Sequence, residues 1–207
     1  MSAFRGPTYA GARCLDLLGA GFGLVLLSLL LLGLALAVRL SSPGPALFRS
    51  TRVGRNGRPF TLYKFRSMVV DAPSTGPRIT AADDPRVTRL GAFLRDYKLD
   101  ELPQLLNVLK GDMSLVGPRP EDPEYVALYS QEQKAVLDAR PGLTGPASLH
   151  YRNESAHLAG DDWHNRYVDE IMPAKLLLDL EYLSRRTLMS DLGVIMCTVW
   201  RIAGFRR

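Results

Sequence analysis

Two cysteines among 207 residues, Cys14 and Cys197, are too few and too far apart to build a disulfide framework or a zinc-ligand spacing, which favours a reducing compartment. Histidine is equally scarce: His150, His157 and His164 show no metal-ligand spacing and take no role. Acidic residues are the minority charge, 21 Asp+Glu against 26 Lys+Arg, for a net charge of +5. That balance suits nucleic acid, an anionic membrane surface or phosphorylated substrates, and does not choose among them. A nucleic-acid binder would need a basic stripe. Here the arginines are dispersed with acids between them, so no nucleic-acid partner is expected. Internal repeats and low-complexity tracts are missing as well. At 23% charged and 46% hydrophobic residues the chain is neither disordered nor a polytopic membrane protein.

Charge vanishes altogether in one place. From Leu17 to Val38 the chain reads LLGAGFGLVLLSLLLLGLALAV, 22 residues without a charge. As a helix this would be about 33 Å long, which matches the hydrocarbon core of a bilayer. A cleaved signal peptide has a shorter apolar region of about 7–15 residues, so the cleavage-like Ala35-Leu36-Ala37 does not outweigh the length. The GAGFG inside the run imitates a dinucleotide-binding pattern but follows no strand. Residues 1–40 are therefore expected to be a membrane anchor. Arginines flank both sides, Arg5 and Arg13 before it and Arg39, Arg49, Arg52, Arg55 and Arg58 after it, so a span and a re-entrant dip both remain open. Arg13 and Asp16, three apart, are placed to pair where the chain enters the headgroups.

Residues 41–207 read as a compact catalytic domain of α/β class, mostly helical with a small β-hairpin. ALFRSTRV and RPFTLYKF are β-prone runs joined at Gly54-Arg55-Asn56-Gly57, where Asn-Gly signals a hairpin turn. Residues 71–85 are loop-like. Val87, Leu90, Leu94 and Tyr97 recur at helical spacing, and a second helix begins near Glu101. Further helices are expected over residues 122–138 and 165–185. In the last stretch Leu188, Leu192, Ile195, Val199 and Ile202 form one helical stripe, with Trp200, Arg201, Arg206 and Arg207 near its end. A core helix and an interfacial helix both fit that pattern.

The chemistry concentrates in YKLDELPQLLNVLKGDMSLVGPRP, residues 97–120. Asp100 fits an N-cap, Glu101 a first-turn acid and Pro103 a position where a missing N–H costs nothing. Adjacent helical residues diverge by about 100°, so the two acids cannot both cap or both face the core. One can aim at a reacting atom while the other holds a hard divalent cation, since magnesium is usually bound by one or two carboxylates plus substrate phosphates. Pro118 and Pro120 stiffen the backbone around Arg119 and pre-orient its guanidinium for a phosphate oxygen. Arg95 is a further candidate phosphate ligand. On spacing alone this describes a membrane-anchored protein that handles phosphate.

Taken together, LDELPQLLNVLKGDMSLVGPRP, RCLD at the membrane entry, GPALFRSTRVGRNGRPFTLYKFRSM, DDPRVTRLGAFLR and RPGLTG resemble the bacterial sugar transferase family, the monotopic phosphoglycosyl transferases, over nearly the whole chain. The resemblance implies transfer of a phospho-sugar from a nucleotide diphosphate sugar, usually a UDP-sugar, to polyprenol phosphate with release of the nucleotide monophosphate, an opening membrane step of glycoconjugate assembly. It implies that Asp100 is the nucleophile, forming an aspartyl phospho-sugar intermediate, and that Glu101 binds Mg2+. It links Pro118, Arg119 and Pro120 to nucleotide binding and places Arg95, Lys64, Arg66 and Arg152 in motifs that line the site. It also implies a bacterial inner membrane location, a domain on the cytosolic face and a re-entrant helix with both termini in the cytosol.

Two departures stand out. Family members commonly carry a Ser-Pro pair in mid-membrane, where this chain has Ser28-Leu29, and Pro146 stands where an aromatic is common. Other classes share some of these features. A metal-dependent glycosyltransferase would release the nucleotide diphosphate instead, and a membrane-tethered binder of anionic ligands would turn nothing over. Which sugar, which pathway and which oligomeric state apply is not written in the sequence.

Overall fold

The computed structural model describes residues 11–72, 84–152 and 163–202. These are mainly helical with two small sheets, in keeping with the expected class. The chain opens with two apolar helices, α1 (Ala12–Leu26) and α2 (Ser28–Ser41), which meet at Leu27 with a bend of 64°. A hairpin follows, β1 (Leu47–Val53) antiparallel to β2 (Pro59–Phe65), in a register running from Leu47 opposite Phe65 to Val53 opposite Pro59. Its reversal lies at Asn56 and Gly57, both left-handed at φ 57° and 72°, and the Arg58 N–H donates to the Arg55 carbonyl at 3.3 Å. Asn-Gly tolerates that conformation and gives the type I′ twist a hairpin needs.

Helix α3 (Arg89–Asp96) starts at Thr88, whose hydroxyl caps the Gly91 N–H at 2.9 Å. Gly91 is obligatory there, since a Cβ would sit 1.9 Å from the Ser67 carbonyl oxygen. A 3-10 turn (Leu99–Gln104) runs into α4 (Leu105–Lys110), and β3 (Ser114–Val116) then pairs in parallel with β4 (Gly142–Thr144). Between them lie α5 (Pro123–Val126) and a 3-10 helix (Gln133–Asp138). After β4 come α6 (Pro146–His150), α7 (Trp163–Arg166), a π-turn (Tyr167–Ile171), α8 (Met172–Ser184) and α9 (Leu188–Ile202). The helix expected over 165–185 is thus present. The one expected over 122–138 is broken, because the Ser130 hydroxyl and the Gln133 side chain capture backbone N–H groups that a continuous helix would use. Most of the loop expected at 71–85 lies outside the described residues.

The bend in the apolar pair needs no proline, because each half docks on a different part of the domain. Ala20 of α1 is buried among Leu62, Leu105, Val108 and Met113, whereas Val38 of α2 packs with Phe65 and Leu94. Gly19 and Gly23 let α1 come close: a Cβ on Gly19 would lie 2.6 Å from Leu115, and one on Gly23 3.3 Å from Leu105. The expected Arg13–Asp16 pair forms at 3.8 Å, with Arg13 half-buried. Asp16 is buried and accepts from the Ser114 hydroxyl and the Leu115 N–H, both at 2.8 Å. Arg13 donates to the carbonyls of Val108 and Leu109 at the end of α4, a favourable place for a cation.

The outward faces of this pair are apolar. Leu18, Val25, Leu29 and Leu40 are 74–82% exposed. No single described helix is long and apolar enough to cross a membrane, while the bent pair passes by length and composition. On α9 the stripe residues Leu188, Leu192, Val199 and Ile202 are exposed and Ile195 half-buried, so this helix does not bury its apolar stripe in the core.

Candidate active site

The 3-10 turn that carries the acid pair begins at an unfavourable place. Lys98, its N-cap, is held left-handed at φ 57°, a conformation a long side chain rarely adopts and that costs of order 1–3 kcal/mol. The kink turns Asp100 and Glu101 inward, and both are buried, while α3 brings Arg95 alongside. Glu101 Oε1 accepts from Lys64 Nζ at 3.0 Å and from Arg119 Nη2 at 2.8 Å, with Arg119 Nη1 3.5 Å from Oε2. Lys64 comes from β2 and Arg119 from the loop after β3, so three separate segments converge on one carboxylate. Asp100 differs: its Oδ1 is buried and has no hydrogen-bond partner. A buried acceptor left without a partner costs about 1–3 kcal/mol, more if charged, so its retention points to use.

Electrostatics separate the two neighbours. Burial pushes the Asp100 carboxyl above its ordinary range, with Lys64 opposing and the Glu101 charge adding to the rise. Glu101 is also desolvated, but the charges of Arg119 and Lys64 and the bond to Arg119 hold it well below the usual carboxylate range. Burial lowers the Arg95 guanidinium, against the charge of Asp100, and its Nε donates to Ser67 Oγ at 2.9 Å. Lys98 is likewise lowered by burial, opposed by Glu101.

One broad cleft of about 1960 Å³ takes in Lys64, Arg95, Asp100, Glu101, Arg119 and Arg152. It runs to Gly23 and Leu27 at the bend of the apolar pair and to Trp200 on α9. Not every residue selected from the sequence turns a free group into it. Arg66 is buried and donates to the carbonyls of Val38, Ser42 and Pro43 at 2.7–3.2 Å, closing the end of α2. Arg152 Nη1 donates to the Arg201 carbonyl at 2.8 Å, near the end of α9. Pro118 and Pro120 are buried under Arg119, and the Pro118 carbonyl accepts from the Gly142 N–H at 2.7 Å. Lys98 was not selected from the sequence, nor was Asp179 of α8, whose carboxylate lies beneath the Arg119 loop. Lys98 sits inside the quoted acid-pair stretch and could have been found there. No local pattern marks Asp179.

The residues present suit a hard cation in part. Among the described residues no three Asp, Glu, His or Cys side chains converge as a self-sufficient metal cage. Two adjacent carboxylates, one with an orphaned oxygen, do match a magnesium ion completed by ligand phosphates.

A buried carboxylate with an unpartnered oxygen, ringed by guanidinium and ammonium groups and opening beside an apolar helix pair, suits a polyanionic ligand. Sequence comparison takes the assignment further. Residues 8–204 match the family described as bacterial sugar transferase, and the chain belongs to that family. It is 42% identical over 192 residues to the UDP-glucose:undecaprenyl-phosphate glucose-1-phosphate transferase of Caulobacter vibrioides, covering 90% of this chain and 67% of that one. Over 190 residues it is 37% identical to the uncharacterized sugar transferase EpsL of Bacillus subtilis, covering 92% and 86%. It is 39% identical over 198 residues to the galactosyl transferase CpsE of Streptococcus agalactiae, but spans only 41% of that relative's length.

Proposed function

We propose that this chain transfers a phospho-sugar from a UDP-sugar to polyprenol phosphate. The observation that carries the reading is the unpartnered, buried Oδ1 of Asp100 beside Lys64, Arg95 and Lys98, with Arg119 bound to the neighbouring Glu101. An Asp100 oxygen attacks the sugar-bearing phosphorus, the bond from that phosphorus to the bridging oxygen breaks, and UMP leaves with the bridging oxygen. An oxygen of the lipid phosphate then attacks the same phosphorus, and the acyl-phosphate bond breaks to return Asp100 as a carboxylate. A carboxylate nucleophile divides one hard displacement into two easier ones. Arg95 and Arg119 bind and orient the diphosphate, Arg119 with a fork that matches phosphate oxygens. Glu101 would hold magnesium, which when bound offsets negative charge on the transferring group. Lys64 holds Glu101 in place.

The cleft is larger than the roughly 300–1,000 Å³ of an ordinary small-ligand pocket, leaving room for a donor and a lipid headgroup together. The 64° bend, the exposed leucines on its outside and the apolar face of α9 support a re-entrant anchor. That arrangement keeps residues 41–207 on the cytosolic face, with both termini on that side. A cysteine at Ser2 in a Cys14→Ser, Cys197→Ser background should resist an impermeant thiol reagent in intact cells; labelling would mean that the segment crosses the bilayer.

The reaction is tested with purified protein, undecaprenyl phosphate and a panel of UDP-sugars. One sugar should support UMP release that EDTA stops and magnesium restores. Release of UDP would instead mean ordinary glycosyl transfer.

A further inference from the structure

The Arg119 loop belongs to no helix or strand, yet it must hold a guanidinium in register with Glu101. Below it, backbones are packed too closely for side chains. A Cβ on Gly142 would lie 2.1 Å from the Gly117 nitrogen, and one on Gly145 2.3 Å from the Gly117 oxygen. The Gly117 N–H donates to the Thr144 carbonyl at 2.9 Å and the Gly142 N–H to the Pro118 carbonyl at 2.7 Å. The prolines on either side of Arg119 have no N–H to give. Hence the Arg119 N–H is the one backbone donor between the two prolines, and it faces the buried carboxylate of Asp179, whose Oδ1 lies 3.8 Å from where a Cβ on Gly145 would sit. Asp179 Oδ1 accepts from the Ala147 N–H, in the first turn of α6, at 3.4 Å. One carboxylate from α8 thus sits between the Arg119 loop and the start of α6.

We propose that Asp179 is a positioning residue that sets the Arg119 loop for the donor diphosphate, acting through the Arg119 backbone without touching the reacting atoms. This rests on the reading of that loop as the nucleotide-sugar site. The ionised carboxylate is the stronger acceptor and holds the loop tighter than the neutral acid. The titratable groups facing it are Lys175, one turn earlier on α8, and Tyr129. Burial pushes the Asp179 carboxyl up to about 7, opposed by its two backbone hydrogen bonds and Lys175. The loop should therefore tighten as pH rises through neutrality.

The test is steady-state kinetics on the full chain with whichever UDP-sugar the panel selects, from pH 6 to 8.5. Asp179→Ala should raise the donor KM about tenfold, the loss of roughly one hydrogen bond, and leave kcat within about threefold. Asp179→Asn keeps a carbonyl acceptor and should stay within about threefold in KM. Unlike the wild type, its donor KM should not fall as pH passes through neutrality. In an Arg119→Ala background, Asp179→Ala should add nothing. If Arg119→Ala raises KM and Asp179→Ala does not, Asp179 is no positioning residue and the donor-site reading stands. If neither raises it, the donor-site reading falls and this inference with it. Should Asp179→Ala fail to fold, Asp179→Asn decides: a pH step like the wild type's overturns the inference.

Discussion

Two of the buried charge clusters among the described residues differ in completeness. In the first, Arg186 donates through Nε and Nη2 to both carboxylate oxygens of Asp191 at 2.7–3.1 Å and through Nη2 to the Val116 carbonyl at 2.9 Å. The Tyr182 hydroxyl donates to Asp191 at 2.5 Å, and Ser114 leads on to Asp16 of α1. Every group there has its partner, and the cluster ties α1, β3, α8 and α9 together. The second cluster, Asp100 with Glu101, Lys64, Arg95 and Arg119, leaves Asp100 Oδ1 unpartnered at comparable burial. The saturated cluster is a structural joint. Under the proposed function the unsaturated one is left open for a ligand that supplies the missing partner.

Three substitutions sharpen that contrast. Asp100→Asn should abolish turnover, since an amide is no nucleophile toward phosphorus, a loss of at least about a thousandfold. Yet it should not lower stability. The folded-state pKa of Asp100 lies above its ordinary value, so its contribution to stability is present at low pH and lost as pH rises through that folded pKa. At pH 8 the variant should melt at or above the wild type, with the gap closing in acid. Arg186→Met should do the reverse, costing about 3–5 kcal/mol of stability by leaving Asp191 buried and uncompensated. Its residual folded fraction should keep its donor KM. The smallest effect belongs to Arg119→Lys, which keeps the charge and loses the fork. Donor KM should rise about tenfold with the fold unchanged.

How much of this was legible depended on the range of each interaction. The β1–β2 hairpin could be read because Asn56-Gly57 and two β-prone runs are local, and so could α3, whose apolar residues repeat at helical spacing. The acid pair and Arg119 were legible for the same reason: they share one short stretch. What could not be read were the long-range uses of familiar residues. Asp16 looked like a partner for Arg13 three residues away, but its closest hydrogen bonds reach Ser114 and Leu115, almost a hundred residues on. Arg66, placed by resemblance in a motif that lines the site, borders the cleft, but its guanidinium is spent on carbonyls at the end of α2, a use no local pattern marks. Asp179 had no local signal at all. The bend at Leu27 was hidden because its cause is the docking of two helix halves on separate core clusters, not a residue within the run.

The nucleophilic role of Asp100 can be tested most directly by trapping. The wild-type chain, incubated with magnesium and a UDP-sugar labelled in the sugar-bearing phosphate but without lipid acceptor, should take up label covalently. Peptide mapping should place it on the peptide holding Asp100, hydroxylamine should release it, and polyprenol phosphate should discharge it to lipid. Asp100→Asn, still folded and still binding donor, should take up none. Label retained by Asp100→Asn, or mapped to another peptide, would contradict the assignment.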